Sequence, residues 1–115
     1  MISTFHSELK QIIDTYVHLV YKLTRDFPKQ EQYGITSQLR RSALSVMLNY
    51  IEGYARMKDK VHKNFLEISY GSLQESKYLL QFSYTEKLLT QEDYSTATKL
   101  AERIGSMLWG ILRKI

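Results

Sequence analysis

The chain has no cysteine, one proline and five glycines in 115 residues. Without a thiol there is no disulfide scaffold, no thiolate zinc site and no cysteine nucleophile. So few turn-forming residues argue against an all-β protein. Apolar runs such as Ile12-Ile13 and Leu88-Leu89 are short, far from the roughly 20 residues that span a bilayer. Residues 1–10 lack the basic start and apolar stretch of a secretory signal. A cytoplasmic protein with no membrane partner is expected. Glycine-rich phosphate loops, G-x-S-x-G elbows and H-E-x-x-H motifs are missing too. His6, His18 and His62 are scattered, and no glutamate stands three residues before any of them, as a di-iron bundle would need. Ser42 and Ser45 have no histidine nearby in sequence. The reading is therefore no catalytic residue, no metal and no cofactor, and so not an enzyme.

No one sign of charge dominates. The net charge is +4, which permits an anionic partner without requiring one. Residues 1–57 hold seven Lys/Arg against five Asp/Glu, and residues 58–115 hold nine against seven. The local excess is Arg56, Lys58, Lys60 and Lys63 against Asp59.

Four segments repeat apolar residues every three or four positions, which is helical spacing. Helices are expected over about 6–26, 36–57, 60–85 and 91–113, in one domain spanning 1–115. The first carries Phe5, Leu9, Ile12, Tyr16, Leu19, Leu23 and Phe27 on one stripe, with Pro28 stopping it. In the second, Thr36 is the expected N-cap. Leu39, Ala43, Val46, Tyr50 and Tyr54 form its core stripe, and Leu44, Leu48, Ile51 and Ala55 a second apolar stripe beside it. The third is expected to be capped by Asp59 and to bury Val61, Phe65, Ile68, Ser72, Leu79 and Phe82. Gly71 in its middle costs about 1 kcal/mol against alanine, which predicts a close helix crossing there. In the fourth, Thr90 and Asp93 make a capping box with a Leu89–Tyr94 staple. Its heptad stripe runs Tyr94, Ala97, Ala101, Ile104, Leu108, Ile111, Ile115. Short links between long helices join antiparallel neighbours, so the fold class is all-α, an up-down-up-down four-helix bundle.

The second stripe of helix 2, with Met107 and Trp109 on helix 4, makes more apolar surface than a monomer normally exposes and predicts a cyclic homo-oligomer. Tyr16, Tyr50 and Tyr94 lie on core stripes; Tyr70 and Tyr78 suit interface packing or stacking on RNA bases. Glu52 is expected to be partly buried and paired with Arg40, Arg41 or Arg56 as a structural ion pair. Arg56, Lys58, Lys60 and Lys63, with Arg40 and Arg41, are candidate phosphate contacts; Lys22, Arg25 and Lys29 are further ones.

Several segments resemble one family when taken in order: Tyr21-Lys22-Leu23-Thr24, Phe27-Pro28, and Tyr33-Gly34-Ile35-Thr36-Ser37-Gln38-Leu39-Arg40-Arg41-Ser42-Ala43. Asn49, Glu52-Gly53 and Arg56 resemble its N-I-A-E-G-x-G-R stretch, and Gly71-Ser72-Leu73 with Glu75 its G-S-L-x-E. The family is that of small bacterial four-helix bundle proteins encoded in intervening sequences of 23S rRNA genes, sometimes called ribosomal-protein-like. The accessory variability determinants of diversity-generating retroelements are similar to them. The resemblance spans about residues 16–100. It departs at Met47, Tyr50, Ile51, Ala55 and His62. It implies a homopentamer without catalytic residues. For the retroelement relatives it implies a basic barrel that binds nucleic acid and a nucleic-acid enzyme, a reverse transcriptase. The resulting expectation is a self-assembling bundle that binds structured RNA or a nucleoprotein; the alternative is an oligomeric adaptor with no nucleic-acid role.

Overall fold

The computed structural model describes residues 3–56 and 58–115. Four helices form among them, and no strand: α1 (Thr4–Thr24), α2 (Ile35–Ala55), α3 (Asp59–Thr85) and α4 (Gln91–Leu112), with a short 3₁₀ turn at Lys29–Glu31. The expected end of helix 2 at Met57 lies outside the described residues. Ser3 and Thr90 cap α1 and α4, their hydroxyls accepting from the amides of His6 and Asp93 at 3.1 Å each. The other two starts differ from expectation. Gly34 occupies the cap position of α2 and Lys58 that of α3, and neither helix has a side-chain cap. Thr36 lies inside α2 and Asp59 is the first residue of α3, where its charge still faces the positive end of the helix dipole.

Each helix packs on two neighbours: α1 on α2, α2 on α3, α3 on α4, and α1 on α4. The α1 core is Leu9, Ile12, Ile13, Tyr16, Val17 and Val20, and Phe27 seals the following turn. Leu19 and Leu23 are only half-buried and Phe5 is exposed, so the packed face is rotated from the expected stripe. In α2, Leu39, Ala43, Val46 and Tyr50 are buried as expected. Tyr54 is exposed, as are Leu48, Ile51 and Ala55 of the second stripe, while Leu44 is half-buried. In α4, Ala97, Ala101, Ile104 and Leu108 are fully buried. Leu112 takes the last core position in place of Ile115, because 3.6 residues per turn drifts off a strict heptad. Tyr94 is half-buried, stacked on Tyr84 with ring centroids 4.7 Å apart.

The largest correction is in α3. Its buried stripe alternates leucine and serine: Leu66, Ser69, Leu73, Ser76, Leu80 and Ser83. Each serine hydroxyl is satisfied. Ser69 donates to the carbonyl of Val46 across the α2–α3 seam at 2.7 Å. Ser76 donates to that of Leu73 and Ser83 to that of Leu79, both at 2.8 Å. The phenol of Tyr16 in turn meets Ser76 Oγ at 2.7 Å. The stripe expected in the core instead faces outward: Val61, Ile68 and Phe82 are exposed, Phe65, Ser72 and Leu79 half-buried.

The close crossing is also displaced. A Cβ on Gly71 would meet nothing within 4 Å, whereas one on Gly53 would lie 3.1 Å from Leu66 Cδ2. Gly53 is the residue that lets α2 and α3 approach, just where the two helices converge on their connecting turn.

Candidate nucleic-acid interface

The start of α1, the end of α2, the start of α3 and the end of α4 meet at one end of the bundle. An open hollow of ≈ 460 Å³ there is lined by residues of all four, among them His6, Tyr54, His62, Gly110 and Lys114. His6 Nδ1 is 3.0 Å from the Tyr50 hydroxyl. Tyr54 stands between the two imidazoles, 4.5 Å from the His6 ring and 4.8 Å from that of His62. His62 Nδ1 donates to the carbonyl of Gly53 at 2.6 Å, joining the Arg56 amide on that acceptor at the end of α2. Burial, and secondarily the charge of His62, hold the His6 imidazole below its ordinary value of 6.5. Burial likewise raises the phenols of Tyr50 and Tyr54, and pushes Tyr16 in the core up to about 12. Two histidines scattered in sequence thus share a cluster. Among the described residues no three His, Cys, Asp or Glu side chains gather as a metal site.

The basic corner borders this cluster. Lys58, Lys60 and Lys63 are exposed at the start of α3, and among the described residues no carboxylate is in ion-pair range of them. The arginines are differently placed. Arg56, one of the three partners expected for Glu52, pairs with it at 2.6 Å and lies over the Phe65 ring at 5.3 Å. Arg41 donates to Glu75 at 3.0 Å and to Gln38 at 2.7 Å. Arg40 packs on Tyr21 at 4.6 Å and donates through Nε to Thr24 Oγ1 at 2.8 Å, tying α2 to α1. At 1.5 Å per residue, Arg40 and Arg41 stand roughly 20 Å along α2 from Arg56, so they do not join the corner. Asn49 donates to the carbonyl and hydroxyl of Ser45 at 2.9 Å each, and the Ser45 hydroxyl meets that of Ser72 at 2.7 Å. Asn49, through Ser45, and Gly53, against Leu66, therefore build the α2–α3 seam, whereas Glu52 pairs within its own segment.

Sequence reasoning missed what α4 contributes. Arg113 and Lys114, just past the end of α4, arrive beside the corner. A groove between α3 and α4 is lined by Lys63, Glu67, Tyr70, Gly71, Trp109 and Arg113, with Leu112 at its floor. Trp109 is 55% exposed, its ring 6.0 Å from that of Tyr70. Two cations flanking an exposed indole that packs on a half-buried tyrosine can contact phosphates while an unpaired base stacks. No linear motif signals this, since 46 residues separate Lys63 from Trp109. The exposed Tyr78 lies elsewhere on α3, beside Phe82.

Among the described residues no helix is long and apolar enough to cross a membrane. The sequence matches the family described as 23S rRNA-intervening sequence protein over residues 7–110. No curated protein matches it. The fold is similar to the crystal structure of a protein with unknown function from the S23 ribosomal protein family of Bacteroides thetaiotaomicron VPI-5482. The TM-score is 0.82 at 20% identity, covering 90% of this chain and 97% of that one. At that identity the likeness speaks for the fold alone, but the family match extends over nearly the whole chain. The chain belongs to the 23S rRNA-intervening sequence protein family.

Proposed function

We propose that this protein is a non-enzymatic, self-assembling subunit that binds structured RNA, alone or in a nucleoprotein, through the basic end of its bundle. The carrying observation is the groove that sets Lys63 and Arg113 beside the exposed Trp109, its ring against the half-buried Tyr70, with Lys58 and Lys60 exposed further toward the start of the same helix. The neighbour contacts and the four helix ends meeting at one pole support an up-down-up-down arrangement. The outward apolar stripe of α3 supports a cyclic oligomer, and the family resemblance a pentamer in the cytoplasm. One subunit offers few phosphate contacts; a ring repeats them. Even six to ten contacts make affinity fall by roughly 10³–10⁵ between 50 and 200 mM salt.

Anisotropy of a labelled structured RNA, titrated at several salt concentrations, tests this. Replacing Lys58, Lys60 and Lys63 together by glutamine should flatten the salt slope and leave folding and assembly intact. The engagement of Arg40, Arg41 and Arg56 within the chain favours the adaptor as the second reading. Absence of RNA binding by the wild type even at low salt would select it.

A further inference from the structure

At the opposite end of the bundle, we infer that the start of α2 forms a binding pocket for a phosphoryl group. The inference goes beyond the RNA reading and does not depend on it. The pocket, ≈ 370 Å³, is lined by Thr24, Arg25, Lys29, Gln32, Thr36 and Arg40, with Phe27 and Pro28 shaping its wall. No carboxylate lines it. Two observations point independently to an anion. First, α2 begins at Gly34 with no side-chain cap, so its first amides have no side-chain acceptor. Free amides and the helix dipole at such an end favour an oxyanion. Second, Thr36 is 7% exposed and its Oγ1 is the buried side-chain polar atom without a hydrogen-bond partner among the described residues. An orphaned buried hydroxyl is costly, and the residue that carries it lines a pocket with three cations on its rim.

The negative end of α1 is adjacent but already satisfied. Its carbonyls at Tyr21, Lys22 and Thr24 accept from Arg40 Nη2, the Arg25 amide and the Phe27 amide. Arg40 spends Nε and Nη2 on α1, leaving Nη1 for a ligand. Arg25 and Lys29 are exposed and, among the described residues, have no ion-pair partner. Glu31 is the carboxylate at Gly34, with Oε2 3.7 Å from where a Cβ would stand, outside the pocket lining. The pocket therefore combines an uncapped helix start, a guanidinium held in place, two exposed cations and an unpartnered hydroxyl just beneath its surface, a set that complements the several acceptor oxygens of a phosphate. Thr24, Phe27, Pro28, Thr36 and Arg40 of this lining belong to the segments that carry the family resemblance, and the basic corner leaves them unused.

The experiment is an amide chemical-shift titration with inorganic phosphate, against sodium chloride at matched ionic strength. Resonances of Ile35, Thr36 and Ser37 should move with phosphate and not with chloride, and the melting midpoint should rise, since the ligand binds the folded state. Arg25→Gln with Lys29→Gln should weaken binding at least tenfold. Thr36→Val should weaken it at least threefold without lowering the melting midpoint in phosphate-free buffer, because a methyl replaces an unpartnered hydroxyl. Short oligoribonucleotides with and without a 5′-phosphate identify the source. Shifts from the phosphorylated strand alone mean a terminal phosphate, and equal shifts from both mean the backbone. Unmoved amides with phosphate and with both strands overturn the inference, as does a double variant that binds as tightly as wild type. Failure of the Lys58, Lys60 and Lys63 experiment leaves this result standing, because those residues lie at the other pole.

Discussion

Gly53 and Gly71 show how differently two glycines in helices can be used. A side chain at Gly53 must displace Leu66 at the α2–α3 crossing, so Gly53→Val should destabilise by about 1–3 kcal/mol through overpacking. Gly71 borders open space, so Gly71→Ala should stabilise the subunit by up to about 1 kcal/mol through helix propensity. Thermal or denaturant unfolding of the two variants checks both signs. Sequence assigned the close crossing to Gly71, because a glycine's cost is visible in a helix pattern and the identity of its neighbour is not. His6 gives a pH prediction. Its folded-state value lies below 6.5, so the unfolded chain binds the proton more tightly. Its stabilising contribution is complete above about pH 6.5 and is lost as pH falls through the lower folded-state value. The melting midpoint should therefore drop on acidification from about pH 6.5 down to that lower value, and His6→Gln should make the drop shallower. Equal acid sensitivity in both proteins would contradict the assignment.

Among the elements, α3 is the most instructive. It carries two heptad stripes, and the more hydrophobic one faces outward. The inner one intersperses serine because small hydroxyls, bonded to carbonyls of α2 and α3, let the helices pack closely. Apolar periodicity cannot see that, since serine reads as polar. The number of helices and their approximate ends were legible because proline, capping threonine and long periodic runs are local signals. The choice of buried face was legible in α2 and α4, where leucine, valine and alanine dominate the seam. It failed in α3 and was rotated in α1, where Val20 and Thr24 take the place of Leu19 and Leu23. An apolar stripe of Val61, Phe65, Ile68, Leu79 and Phe82 has a use if copies of the chain cover it. Ile68→Glu with Phe82→Glu should leave each subunit folded, because both side chains are already at the surface, and should dissociate the assembly. Light scattering with circular dichroism tests this: unchanged helicity with a single-subunit mass is expected. A wild type that is itself a single subunit at micromolar concentration would contradict it.

At the scale of the whole molecule, the +4 charge is unevenly used. Arg40 and Arg41 of α2 and Arg56 at its end are tied into ion pairs or helix contacts, while Lys63 near the α3 start and Arg113 at the α4 end stay available around Trp109. The corner lysines were readable as a sequence cluster; their partnership with α4 needed the fold. Trp109 is the only tryptophan, so its emission reports on this end of the bundle alone. The measurement that tests the account most directly is Trp109 fluorescence on addition of a structured RNA, at 50 and at 200 mM salt. Stacking and phosphate contact at this groove predict quenching at the lower concentration that is largely abolished at the higher one, as counterion release requires. Emission that stays unchanged at 50 mM salt with RNA in excess would contradict the claim that this end of the molecule is where RNA binds.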